Sequence, residues 1–338
     1  MKAIHRLVIV SAPFLLTVSV LADAQAPERR DRARERREYR SETTEEWSRV
    51  FKISEGGSLH VSNVAGDIEV VGGSGTEVRV NAIKRMGGGR HDRGSGPADV
   101  EIRVNDTPRR VEIETEYPRR GHSNAEVEFK IQVPAHVTVA VRSVSGRVVL
   151  GRVDGESQAE SVSGDILLTD VKRVSRAKTV SGSIRIAGAG GDTFNAATVS
   201  GDLVADGVRA RSCELQSVSG RVAILKGRCD RAELRSISGE VEFSGELAPG
   251  GRYEFNSHSG DVRLFVGHGA GFQLVATTFS GDLRSGLALK GPGEVRTNQY
   301  GPGKELRGTV GDGSAYVVVK TFSGSAVIES AEKPHRSR

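Results

Sequence analysis

One short phrase, a β-branched residue followed by Ser-Gly, recurs along this chain at an almost fixed interval, and no other feature limits the possible folds as much. It stands at Val144-Ser145-Gly146, Val162-Ser163-Gly164, Val180-Ser181-Gly182, Val199-Ser200-Gly201, Val218-Ser219-Gly220 and Ile237-Ser238-Gly239. Two variants follow, His258-Ser259-Gly260 and Phe279-Ser280-Gly281, and a detached copy, Phe322-Ser323-Gly324, comes near the end. From Gly146 to Gly281 the successive glycines are 18, 18, 19, 19, 19, 21 and 21 residues apart.

Residue types repeat around each glycine. Two places after it stand Val148, Ile166, Ile184, Leu203, Val222, Val241, Val262 and Leu283; four places after it, Leu150, Leu168, Ile186, Ala205, Ile224, Phe243 and Leu264. Five places before it stand Ala159, Ala177, Ala196, Leu215, Leu234 and Phe255. A spacing of two is that of strands with one face turned inward, and the change of parity between the columns requires a corner beside the glycine. One repeat leaves its apolar side and its backbone edges open to water; stacked repeats pair each strand in parallel with its equivalent ~4.8 Å away. The sequence therefore predicts an all-β protein, a parallel β-solenoid of about eight coils of 18–21 residues with irregular β caps at both ends. Val162, Val180 and Val199 should be neighbours in space. The serines before the glycines (145, 163, 181, 200, 219, 238, 259, 280 and 323), with the Ser or Thr two places earlier at 161, 179, 198, 217, 236, 257 and 278, are expected to bond along the stack as structural hydroxyls and not to act as nucleophiles.

Six segments follow from this pattern. Residues 1–24 read as an export signal: Lys2 and Arg6, an apolar run from Leu7 to Leu21 interrupted by Pro13, and the small-residue site Ala22-Asp23-Ala24. An uncleaved anchor is the alternative, but the run falls short of the ~20 residues of a full span, and no later segment could cross a bilayer. Residues 25–49 form a charged, arginine-rich linker without apolar periodicity, which predicts disorder; Arg29 to Arg40 could contact an anionic surface. Residues 50–143 are an N-terminal β region or cap, 144–284 the regular solenoid, 285–330 a C-terminal β cap and 331–338 a polar tail.

Little in the sequence points to reaction chemistry. Aromatic residues make up only 5% of the chain, which weakens any stacking platform for sugars or bases, and no nucleic-acid partner is expected of an exported chain. No cofactor or phosphate-binding loop is indicated. The residues just after the glycines form a charged column, Arg147, Asp165, Ser183, Asp202, Arg221, Glu240, Asp261 and Asp282, in which only Glu240, Asp261 and Asp282 run together as acids. That trio is the one weak candidate for a cation site or a catalytic acid pair. His258 and His268 lack a third close ligand for zinc. Export would permit Cys213 and Cys229 to pair, but the repeat register sets them three residues out of alignment, which favours free packing over a bond.

At Leu59-His-Val-Ser-Asn-Val-Ala-Gly-Asp-Ile-Glu-Val70, at Val141-Arg-Ser-Val-Ser-Gly146 and in the repeated Ser-Gly-Asp phrases, the sequence resembles the bacterial putative-adhesin family of exported β-solenoid repeat domains of unknown function, over roughly residues 50 to 330. The resemblance implies an extracytoplasmic protein of the periplasm, cell surface or medium, and carries no catalytic residues across. The expectation is an exported, non-catalytic scaffold that presents a charged β-face to a glycan, an envelope component or a protein. The alternatives are a polysaccharide lyase or hydrolase on a parallel β-helix, and an envelope-stress sensor or regulatory binding module.

Overall fold

Each Ser-Gly phrase turns a corner between two walls of one continuous β-sheet. The computed structural model describes residues 43–86, 100–118, 125–267, 269–291, 293–297 and 303–331, all within one unit, Glu42–Arg338. The export signal, and the linker up to residue 42, lie outside the described residues. The protein is all-β, a mostly parallel sheet curled nearly closed around an axis.

The front wall consists of the strands that lead into the phrase: Thr138–Ser145, Glu156–Ser163, Arg173–Ser181, Gly190–Ser200 and Arg209–Ser219, then the later parts of Val222–Ser238 and Val241–Ser257. The back wall consists of those that leave it: Val148–Gly151, Ile166–Thr169, Ile184–Ala187 and Leu203–Asp206, then the earlier parts of the same two long strands. Equivalent residues lie in register. On the front wall Ala159, Ala177, Ala196, Leu215, Leu234 and Phe255 form one inward row, and on the back wall Ile166, Ile184, Leu203, Val222, Val241 and Val262 form another. All of these are buried, each worth roughly 1.5–3 kcal/mol for the larger aliphatics. The front row grows from Ala to Leu to Phe as the repeat lengthens, so the wider coils are those with larger side chains inside. Phe243 packs against Tyr253 and Phe255 at centroid distances of 5.8 and 5.4 Å in this wide end.

The corner explains why glycine is fixed. A Cβ on Gly201 would stand 2.2 Å from the Gly182 carbonyl oxygen, and one on Gly220 would stand 2.1 Å from that of Gly201. Both have positive φ, +138° and +143°, a region that side chains disfavour. The carbonyl that crowds the glycine also accepts a hydrogen bond from the hydroxyl three places before the next glycine: Thr198 Oγ1 to Gly182 O at 3.1 Å, Ser236 Oγ to Gly220 O at 3.1 Å, Ser257 Oγ to Gly239 O at 2.9 Å. The bonding along the stack is thus made by the inner Ser/Thr row. The serines of the Ser-Gly pairs face solvent at this corner.

Chain order and stacking order agree through the middle of the molecule and part at both ends. At the C-terminal end Ala315–Thr321 pairs in parallel with residues 252–257 on one side and with Phe272–Thr278 on the other, while Ala326–Ser330 lies between Val262–Val266 and Leu283–Ser285. The detached Phe322-Ser323-Gly324 is therefore an inner rung, wedged between the rungs of Gly260 and Gly281; a Cβ on Gly324 would meet Gly260 O and one on Gly281 would meet Gly324 O. This corrects the placing of 315–330 in an outer cap. The outermost position belongs to the antiparallel strands Lys304–Val310 and Val295–Thr297. The N-terminal end shows the same inversion: Ser58–Ala65 and Ile68–Gly73 lie between Thr138–Ser145 and Val148–Gly151 on one side and Arg110–Glu116 and Ala125–Pro134 on the other. Antiparallel strands then close that end, Glu101–Thr107 on one wall and Glu77–Met86 with Thr43–Lys52 on the other.

Thr43–Lys52 begins inside the segment read as a disordered linker. Its alternation places Phe51 inward, buried, and Trp47 partly buried against the core, and those two anchors give the strand what the arginine-rich stretch before it lacks.

Candidate binding face

The residue before each Ser-Gly lies outside the barrel. Val64, Val144, Val162, Val180, Val199, Val218, Ile237, Phe322 and Phe279 are between 40% and 52% exposed, with the exposed His258 between Ile237 and Phe322. The neighbouring Ser rows are in register, Ser145, Ser163, Ser181, Ser200, Ser219 and Ser238, so these side chains form a single apolar ridge along the stack. Val162, Val180 and Val199 are neighbours in space as the periodicity predicts, but on the outer surface. At the C-terminal end the ridge becomes aromatic: His258 stacks on Phe322 at 4.9 Å and 8°, and Phe322 on Phe279 at 4.7 Å and 3°. Both faces of the middle ring, Phe322, are covered by its neighbours.

Beside the ridge on the front wall stands a polar row, Arg142, Glu160, Lys178, Ala197, Gln216, Arg235, Asn256 and Lys320, in register from rung to rung. Between this row and the larger side chains of the ridge runs a groove of about 550 Å³, from Ala197 and Thr198 to Thr321 and Phe322. A second hollow of about 470 Å³ shares Thr321 with it and continues past Phe279 to Arg296, Lys304 and Glu305 of the closing strands.

The acidic column behaves as structure. Asp67 Oδ1 accepts the Arg147 N–H at 2.8 Å, Asp165 Oδ1 that of Ser183 at 2.8 Å, Asp202 Oδ1 that of Arg221 at 3.0 Å and Asp261 Oδ1 that of Ser325 at 2.9 Å. Every such carboxylate caps a main-chain donor that the corner leaves unpaired. Glu240, Asp261 and Asp282 do not run together: Ser325, on the wedged rung, separates Asp261 from Asp282 and donates its N–H to the first while its Oγ accepts the N–H of the second. Glu240 pairs with Arg263 at 2.6 Å, and Asp282 with Lys304 at 2.9 Å and Arg284 at 3.3 Å. The hydrogen bond from Lys304, then the charges of Lys304 and Arg284, hold the Asp282 carboxyl below the usual carboxylate value. Among the described residues no group of three or more His, Cys, Asp or Glu side chains is placed to hold a metal. His268 lies outside the described residues.

Cys213 and Cys229 form a disulfide, S–S 2.06 Å, where free packing was expected. Ala210 is the register partner of Cys229 and Cys213 that of Ala232, as the three-residue offset requires, but pairing skips Arg211 and Asp230 and the alternation breaks there into a bend with Asp230 and Arg231 both exposed, so that Cys213 and Cys229 are both buried with their Cα atoms 6.3 Å apart. Counting along straight strands misses that bend. A disulfide belongs to an oxidising compartment, and it supports an exported protein. Among the described residues no helix is long and apolar enough to cross a membrane.

A shallow hollow of about 220 Å³ near the N-terminal end is lined by His60, Arg110, Glu112, Arg142 and Glu160. Burial and, after it, the charge of Arg110 keep the His60 imidazole below its usual value. No sequence motif singles out this hollow; it exists because Ala140 is small between His60 and Gln158.

The repeat itself identifies the family. Its sequence model matches residues 158–328, more than half of the chain. The chain belongs to the Toastrack DUF4097 family. No catalytic family is identified for it, and no curated protein matches it in sequence. Solved structures similar to this Toastrack chain include a "putative adhesin" from Bacteroides fragilis (TM-score 0.38, 12% identity, 85% of this chain and 97% of the other). Others are a "putative adhesin" from Parabacteroides distasonis (TM-score 0.37, 14% identity, 85% and 97%) and a "putative cell adhesion protein" from Clostridium sporogenes (TM-score 0.23, 10% identity, 86% and 100%).

Proposed function

We propose that this protein is an exported, non-catalytic scaffold that holds an adhesin-like binding face toward an envelope component, in the periplasm or at the cell surface. The observation that carries the reading is the continuous exposed ridge, which ten-odd stacked rungs keep straight at a ~4.8 Å period. Scattered exposed apolar residues need no explanation, but a contiguous strip rimmed by polar side chains marks a contact surface. The solenoid of about eight regular coils is the rigid support, and the arginine-rich stretch Arg29 to Arg40 supplies a second, electrostatic contact with an anionic surface. A glycan or an envelope protein is the partner class.

The test is retention of envelope fractions by the immobilised mature chain, compared with a Val162→Ser, Val180→Ser, Val199→Ser variant and with a chain lacking residues 25–49. Loss of the bound component in the ridge variant, with thermal unfolding unchanged, is the expected result. Retention that depends on residues 25–49 alone would reject the ridge as the contact.

A further inference from the structure

We propose that the groove at the C-terminal end of the ridge binds a long-chain fatty carboxylate, its acyl chain along the ridge and its head beside Arg296 and Lys304. The inference deepens the binding-face reading and rests on it.

The groove and the hollow beyond it, which share Thr321, together span the rungs of Thr198, Ser217, Ser236, Ser257, Thr321 and Thr278, each in register with the next. Five spacings of ~4.8 Å make them about 24 Å long, the length of an extended long-chain fatty acid. One wall is the ridge where it is tallest, at Val218, Ile237, His258, Phe322 and Phe279. Valine stacked on valine is accounted for by the ladder alone, whereas two phenylalanines each more than 40% exposed are not.

The floor decides the chemistry of the guest. Its hydroxyls already donate to glycine carbonyls: Thr198 to Gly182, Ser217 to Gly201, Ser236 to Gly220, Ser257 to Gly239, Thr321 to Gly260 and Thr278 to Gly324. The wall strands spend their main-chain groups on the rungs above and below. An extended peptide would find no free main-chain edge to pair with, only scattered side-chain groups, and a buried unpaired peptide group is costly. A sugar ring would find little aromatic face along the groove, because both faces of Phe322 are covered by His258 and Phe279. A polymethylene chain needs neither.

Charge fixes the head. Arg235 and Lys320 stand on the polar wall, and Arg296 and Lys304 close the end. Arg296 has no carboxylate partner among the described residues, and Lys304 is held by the exposed Asp282 alone. Glu305 in the same hollow is paired with Arg307 and Lys304 with Asp282, so among the described residues the Arg296 guanidinium is the cation left for a carboxylate, and a cationic head would gain no such partner.

The experiment is calorimetric titration of the full mature chain with hexadecanoate below its micellar concentration, beside dodecanoate, octanoate and the cation hexadecyltrimethylammonium. Saturable binding of hexadecanoate is expected, at least tenfold tighter than dodecanoate and at least tenfold tighter than the cation. Phe322→Ala with Phe279→Ala should weaken it tenfold or more, and Arg296→Glu should do so without touching the ridge or the core. Leu167→Thr, exposed on the back wall away from the ridge, should leave it unchanged. No saturable binding, equal binding of anion and cation, or equal binding by wild type and both groove variants would overturn the proposal. If hexadecanoate fails to bind while envelope retention still depends on Val162, Val180 and Val199, only this inference falls; if both are lost, the binding-face reading falls with it.

Discussion

The middle of the molecule and its C-terminal end use the same Ser-Gly corner, yet only the middle is built in chain order. From Gly146 to Gly239 each rung rests on the one made before it, and from Gly260 onward the last rung of the chain enters between two earlier ones. The repeat encodes the shape of a rung: an inward row, a hydroxyl, a glycine that tolerates the carbonyl beneath it. It does not encode which rung follows which. The edge beyond the rung of Gly281 is closed by Lys304–Val310 and Val295–Thr297, which pair antiparallel.

The sharpest way to break this contrast is to remove the wedge. A chain ending after Val310 should lose hydrogen-exchange protection across residues 272–285, which then lack their partner rung, while residues 138–238 keep theirs because each rung contacts only its neighbours. Simultaneous loss everywhere would show that the two regions are one cooperative unit. Next in size is a contrast between inside and outside the same wall. Leu234→Ala, in the buried row, should cost about 3–4 kcal/mol by denaturant unfolding, and Val180→Ala, on the half-exposed ridge, less than about 1 kcal/mol. Gly201→Ala should cost about 3 kcal/mol, since its Cβ would meet the Gly182 carbonyl at a positive φ; Gly250→Ala, also at positive φ but with no atom within 4 Å, should cost about 1 kcal/mol. Equal costs at the two glycines would mean that the close approach of rungs is not what excludes a side chain.

Much of the fold was legible because every inward apolar column has a period of two and a partner in the next repeat. The ridge was not, for a reason visible in two residues. Thr198 is polar and buried, Val199 is apolar and exposed, so hydropathy at the corner runs opposite to the true inside and outside. The alternation counted forward from Ala196 carries the correct answer, since it puts residue 198 in and residue 199 out. The groove needed coordinates: nothing in the spacing shows that Phe322 lands between His258 and Phe279 and joins them into one stack. The separation of Asp261 from Asp282 was hidden by the same insertion, and the Cys213–Cys229 bond by a bend that residue counting does not register.

Two smaller effects refine the account of the corner. Thr198→Val removes the donor to Gly182 O and should cost about 1 kcal/mol, with the carbonyl left short of a partner; a neutral result would assign the inner row to packing alone. Glu254 is held below its ordinary carboxylate value by the hydrogen bond from Asn256 first and, against some burial, by the charge of Lys320. Its folded form therefore titrates lower than its unfolded form. The stabilisation is complete above the unfolded value and is lost as pH falls through the folded one, so Glu254→Gln should flatten the acid limb of the stability curve by only ~0.3 kcal/mol for a partly screened group.

The wedged rung also bears on biosynthesis. Residues 315–330 are synthesised after both of the rungs between which they sit, and the segment holding Gly281 lacks its parallel partner until they arrive. A molecule cut short by a premature stop or by early proteolysis would display a vacant slot two strands wide at its tip, a visible mark of incompleteness that quality-control proteases could recognise. Closure of this end of the fold therefore waits on synthesis of the segment that enters it.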